Sequence, residues 1–162
     1  MKYKVVFENK CVLEENDGPD SEKLPWILKE PLAVKISTDN CGVYLIVPAG
    51  FKTDLASVPS ILHWFQDSYG KEMTAPSVLH DILYAAELLP RGMIDDIFAD
   101  ALRAKGMPGW KANICWAAVR TCGGFTYGEH TIERIKKIRD IAHCIPATMM
   151  RPLWRTVAEI KQ

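Results

Sequence analysis

The chain lacks an excess of charge of either sign: 20 Lys and Arg stand against 20 Asp and Glu in 162 residues. Net charge therefore gives no reason to expect a nucleic-acid partner. Long hydrophobic runs are also missing. No apolar stretch approaches the ~20 residues needed to cross a bilayer, so a transmembrane protein is not expected. The five cysteines (Cys11, Cys41, Cys115, Cys122, Cys144) are odd in number and contain no Cys-x-x-Cys pair. That argues against a disulfide scaffold and for reduced, mostly buried thiols. The opening residues, Met1 to Phe7, lack the apolar core of a secretory signal, which makes a cytoplasmic location the expectation. There is no internal repeat and no low-complexity tract.

What is present is ordinary for a globular domain: 48% hydrophobic and 25% charged residues. The hydrophobic period divides the chain. Up to about residue 52, Tyr3–Phe7, Trp26–Lys29, Leu32–Ile36 and Val43–Val47 read as strands. The turn-rich Ser37–Gly42 suits a hairpin between the last two, and the polar residues 14–25 read as a mobile loop. Beyond that point the period is helical, with helices expected near 58–66, 75–88, 92–105, 108–122, 128–143 and 150–160. The fold class is α+β: a small N-terminal antiparallel sheet, a helical bundle and a C-terminal helical extension.

Two units follow, residues 1–124 as the α+β domain and 125–162 as a basic amphipathic helical extension. The extension carries seven Lys and Arg against four Asp and Glu, with Ile132, Ile135, Ile138, Ile141 or Ala142, and Ile145 forming an apolar stripe. It reads as a bundle helix, as a surface for a protein partner or self-association, or as a helix resting on an anionic membrane surface. Met149, Met150 and Trp154 beside Arg151 and Arg155 keep docking open.

The chemistry-bearing residues cluster in the middle. On the helix read at 75–88, Val78, Leu79, Ile82, Leu83 and Ala86 share one arc at about 100° per residue. His80, Tyr84 and Glu87 share another, with Asp81 flanking Tyr84, which places them off the core-facing stripe or on a second interface. On the next helix Ile94, Ile97, Phe98, Ala101 and Leu102 form the apolar face. Asp96, Asp100 and Arg103 point outward, and Asp95 sits at the margin. A short connection makes the helices neighbours, so Asp95 can approach His80 and fix its tautomer. Asp54, in the loop Phe51–Pro59, completes a set. Asp54, His80, Asp81 and Asp95 could hold one divalent metal ion, with His80 as ligand or base and Tyr84 beside it.

Plainer roles compete with these. Asp54 and Ser57 could cap a helix, His80 and Asp81 could be helix surface, and Asp95 and Asp96 could answer a helix dipole. His63, beside Trp64, reads as packed or solvated, and His130 and His143 lack acidic partners at useful spacing. Trp110 and Trp116 read as core or interface anchors.

Three segments resemble one family. Val47-Pro48-Ala49-Gly50-Phe51-Lys52-Thr53-Asp54-Leu55-Ala56-Ser57-Val58-Pro59, Val78-Leu79-His80-Asp81-Ile82-Leu83-Tyr84 and Asp95-Asp96-Ile97-Phe98-Ala99-Asp100-Ala101-Leu102 are similar to the DUF1353 family, over roughly residues 31–122. The resemblance implies a bacterial, prophage or phage protein, and places His80, Asp81, Tyr84, Asp54 and Asp95 at motif positions without supplying an activity. The His-Asp-x-x-Tyr helix with an Asp on its neighbour also resembles the His-Asp site of secreted phospholipases A2 in geometry. This chain lacks that family's Gly-rich calcium loop and its disulfides.

Two functions follow as expectations. One is a phage- or prophage-encoded accessory, virion-associated or host-interacting protein of the host cytoplasm or virion, whose His-Asp cluster is structural. The alternative is a small metal-dependent hydrolase of ester, amide or phosphoester bonds.

Overall fold

The computed structural model describes residues 2–39, 41–55, 63–87, 89–122 and 143–146. The element order is β1 (Lys4–Phe7), β2 (Leu13–Glu15), β3 (Trp26–Leu28), β4 (Leu32–Ser37), β5 (Gly42–Val47), β6 (Lys52–Thr53), α1 (His63–Ala86), α2 (Arg91–Ala104), α3 (Gly109–Cys122) and β7 (His143–Pro146). The α+β plan holds, with small antiparallel sheets first and three helices after them.

One sheet has the order β1-β4-β5-β7 and the other β2-β3-β6. The β4–β5 hairpin pairs Leu32 with Val47 and Ser37 with Gly42, closed by the Thr38 amide donating to the Cys41 carbonyl at 2.7 Å. Apolar side chains alternate on these strands, as a half-buried sheet requires. Leu32, Val34, Ile36, Leu45 and Val47 all join the core.

Against that face pack Val78, Leu79, Ile82 and Leu83 of α1, with Ile94, Ile97 and Ala101 of α2. A second cluster lies beside it, where Phe98 and Leu102 of α2 meet Met107, Ala112, Cys115 and Val119. The helix α2 touches β1, α1 and α3, so it is enclosed rather than half-exposed. Asp100, read as outward from a single amphipathic stripe, is therefore buried. Its carboxylate accepts the backbone amides of Lys2 at 2.7 Å and Tyr3 at 2.8 Å, and the Arg103 guanidinium at 2.6 Å. It ties the start of β1 to α2.

Other departures have local causes. The helix α1 runs unbroken through Pro76, where the sequence suggests two helices. An interior proline costs about 3 kcal/mol, and the burial of Met73, Ala75, Pro76, Val78 and Leu79 on either side of it offsets that. The strands β2 and β6 are too short and polar to show a period of two. The supposedly mobile loop 14–25 is a knotted turn. Buried Asn16 donates through Nδ2 to the Leu24 carbonyl at 2.7 Å and to Asp20 at 3.0 Å, while its Oδ1 accepts the Gly18 amide at 3.0 Å. The Lys52 ammonium closes on Asp20 at 2.6 Å.

Beyond residue 122 the described part is a strand, not a helix. β7 pairs antiparallel with β5, Tyr44 against Ile145 and Leu45 against Cys144, which takes Ile145 out of the helical stripe. The rest of the expected helices at 128–143 and 150–160, and most of that at 58–66, lies outside the described residues.

Removing residues 143–162 exposes the β5 edge and lowers stability by about 1–3 kcal/mol. Removing only residues 147–162 leaves the sheet pairing intact. Urea denaturation of the two truncations measures the difference.

Candidate functional site

The α1–α2 connection brings the first helix to a stop at Glu87, whose φ of +46° is left-handed, and Pro90 precedes the first turn of α2. Such a reversal sets residues in the last turns of α1 beside the first turn of α2. There Asp95 is 0% exposed, His80 1% and Tyr84 5%.

Asp95 is a hub. Its Oδ1 accepts the Tyr84 hydroxyl at 2.5 Å and lies 3.4 Å from His80 Nε2. Its Oδ2 accepts Arg120 Nη1 from α3 at 3.1 Å, with Arg91 Nε at 3.9 Å. Arg91 also donates through Nε to the Tyr84 oxygen at 3.4 Å, and through Nη2 to the Val119 carbonyl at 3.1 Å and to the Arg120 carbonyl. One carboxylate thus joins three helices.

The sum of those donors settles its ionisation. Burial alone would raise the Asp95 carboxyl, but the hydrogen bonds from His80, Tyr84 and Arg120 hold it below its ordinary value. Burial, reinforced by the bond to Asp95, pushes the Tyr84 phenol above its ordinary value. With an ionised carboxylate facing it, His80 Nε2 carries the proton. The ring lies between Tyr84 (centroids 4.1 Å apart) and Phe98 (4.8 Å). Its Nδ1 is buried and has no hydrogen-bond partner among the described residues.

The other candidates sit elsewhere. Asp81 is only partly buried and accepts the Thr53 hydroxyl, whose oxygen also accepts the Leu55 amide at 3.0 Å. Thr53 thereby fastens the strand β6, and the start of the loop carrying Asp54, to α1. Asp54 is exposed. Ser57 lies outside the described residues. Among the described residues no three His, Cys, Asp or Glu side chains come together as a metal-ligand set. Asp95 already accepts a hydroxyl, an imidazole and the Arg120 guanidinium, whose positive charge opposes a second cation beside it. Among the described residues, Asp54, His80, Asp81 and Asp95 therefore do not form the set that the divalent metal suggested by the sequence needs.

Thr53, Arg91 and Arg120 escape a reading of the sequence. The one available signal is indirect: an acid at a helix-face margin needs cations, and Arg120 adjoins the inward-facing Val119. Gly92 is also explained. A Cβ there would stand 2.8 Å from Arg120 Nη1, so the missing side chain leaves the guanidinium its route to Asp95.

Asp95→Ala strands Arg120 and His80 and lowers stability by about 3–5 kcal/mol. The depressed carboxyl works in one direction. Its contribution is complete above the ordinary value near 3.8 and is lost as pH falls through the lower folded value. Acid unfolding followed by circular dichroism shows a loss below about pH 4 that is smaller in Asp95→Asn. Gly92→Ala destabilises the wild type by displacing Arg120 but is neutral or stabilising in Arg120→Ala. A double-mutant cycle reads a coupling of about 1–3 kcal/mol.

The profile of the DUF1353 family, described as a protein of unknown function, matches residues 26–119. That stretch holds Thr53, His80, Asp81, Tyr84, Arg91, Gly92 and Asp95, and ends one residue before Arg120. Comparison with curated proteins and with solved structures gave no match. With more than half of its length matched, across both the sheet and the three-helix cluster, the chain belongs to the DUF1353 family.

Proposed function

We propose that this chain is a non-enzymatic accessory protein that acts by engaging a protein partner, and that its His-Asp cluster is an internal scaffold. The observation that supports this is closure. His80, Tyr84 and Asp95 are buried against one another and against Arg120, whereas a general base must present a nitrogen within reach of a substrate proton or water. The family resemblance adds the setting: a phage- or prophage-encoded protein working in the host cytoplasm or within a virion. The alternative, a metal-dependent hydrolase, requires Asp54, Asp81 and Asp95 to converge, whereas Asp81 accepts the Thr53 hydroxyl and Asp95 accepts His80, Tyr84 and Arg120.

The partner contact through residues 125–162 is part of the proposal, with one refinement. Because β7 belongs to the sheet, the anchors that can be altered without disturbing described pairing are Met149, Met150 and Trp154.

The test combines two measurements. Purified protein, with and without Mg²⁺, Mn²⁺, Ca²⁺ or Zn²⁺, shows no turnover of ester, amide or phosphoester substrates above that of His80→Ala. Partner capture or self-association is lost in Met150→Ala with Trp154→Ala and retained in His80→Ala to the extent that the variant folds. Metal-dependent turnover abolished by His80→Ala or Asp81→Ala at unchanged fold overturns the proposal.

A further inference from the structure

The chain contains a single Asp-Gly pair, Asp17–Gly18, and no Asn-Gly pair. At an Asp-Gly pair an aspartate reacts most readily with its own backbone. The attacking nitrogen belongs to the following residue, and glycine brings no Cβ to hinder it and the widest choice of backbone angles. Asp17 is exposed, and among the described residues no partner holds its carboxyl group. Packing nevertheless requires the glycine. A Cβ at Gly18 would stand 3.0 Å from Asn16 Oδ1, 3.2 Å from Asp20 Oδ1 and 3.3 Å from Lys52 Nζ. The turn therefore demands the residue that makes Asp17 reactive.

The same turn restrains the reaction. The Gly18 amide donates to Asn16 Oδ1 at 3.0 Å, and the Gly18 carbonyl accepts the Ser21 amide at 3.0 Å. Both ends of the glycine are thus held. Attack on Asp17 Cγ requires the peptide plane between the two residues to turn and its N–H proton to leave, and Asn16 engages that proton. Asn16 is itself fixed. It is 5% exposed, donates through Nδ2 to the Leu24 carbonyl at 2.7 Å and to Asp20 Oδ1 at 3.0 Å, and its own amide donates to the Pro25 carbonyl at 2.8 Å. Lys52, from β6, holds Asp20 in place at 2.6 Å.

We infer that Asp17 is a latent modification site, converted to isoaspartate when the turn opens, and that Asn16 is the residue that keeps it closed. The chemistry is self-contained. The Gly18 nitrogen bonds to Cγ of Asp17 in its acid form, the Cγ hydroxyl leaves with the amide proton as water, and a cyclic imide results. Water then adds to one of the two ring carbonyls. Cleavage of the new bond to Cγ restores aspartate. Cleavage of the original bond to the Asp17 backbone carbonyl leaves the chain running through Cγ, which is isoaspartate. No oxidant or cofactor takes part. The product carries an extra methylene between Asp17 Cα and the Gly18 amide, which shifts that amide away from Asn16. The turn cannot then close in its original form, and the Asp20–Lys52 contact beside β6 loosens with it.

The test incubates the full chain warm in neutral buffer and follows isoaspartate at position 17. Digestion with an endoproteinase that cleaves before aspartate but not before isoaspartate, followed by mass spectrometry, reads its fraction. Protein unfolded in urea gives the rate of the open chain. The folded wild type reacts at least about tenfold more slowly than that. Asn16→Ala raises the folded rate at least about fivefold, the equivalent of one net hydrogen bond, with circular dichroism unchanged. Lys52→Ala, which frees Asp20 without touching Gly18, raises it by less. Asp17→Glu removes the signal. Equal rates in folded and unfolded wild type overturn the inference, as does an unfolded chain that forms no isoaspartate at Asp17. A folded Asn16→Ala no faster than wild type also overturns it. If Asn16→Ala does not fold, an unchanged rate in Lys52→Ala does so in its place.

Discussion

A carboxylate with no exposure to water constrains everything around it. Burying an ion such as Asp95 costs several kcal/mol even after the protein relaxes, a large share of the ~5–15 kcal/mol that hold a domain folded. The cost is met only if hydrogen bonds and opposite charge replace the lost water. Here the hydrogen bonds come from α1 (His80, Tyr84) and from the end of α3 (Arg120), and Arg91 at the start of α2 adds its charge at 3.9 Å. The three helices are thereby locked in one arrangement, since sliding any of them leaves a charge unpaired. The same need explains Gly92, whose missing side chain gives Arg120 room, and Arg91, which also accounts for two carbonyls at the end of α3.

The position of α2 makes this possible. It packs on β1, α1 and α3 at once, so each of its faces is an interface and its acids become internal connectors. Asp95 binds helices together, while Asp100 takes the amides of Lys2 and Tyr3 and binds the first strand to the bundle. Thr53 and Asp81 make a third tie, from the short strand β6 to α1. Polar side chains thus fasten sheet to helix at two places, and the two apolar clusters that α2 joins supply the bulk of the burial.

A cluster used in this way has little left to offer a substrate. Its carboxylate accepts three hydrogen bonds, and its histidine is enclosed by Tyr84 and Phe98. The large apolar side chains of α3 that face outward, Trp110 and Ile114, stand apart from it. Scaffold and surface are separate here, which is why a partner-binding role is proposed in place of chemistry at the histidine.

Much of the fold was legible without coordinates. The β4–β5 hairpin, the helices α2 and α3 and the α+β order follow from periodicity and from turn residues such as Ser37–Gly42 and Gly106–Pro108. The proximity of His80 to Asp95 follows from a short connection between two helices. These are local effects, and local sequence determines them. The burial of His80, Tyr84 and Asp100, the arrival of Arg120 from twenty-five residues away, the pairing of Ile145 with Tyr44 and the passage of α1 through Pro76 were decided by tertiary structure alone. A helix shows which residues share a face, but not how many of its faces will be covered. That depends on what packs around it, and α2 meets β1, α1 and α3 at once.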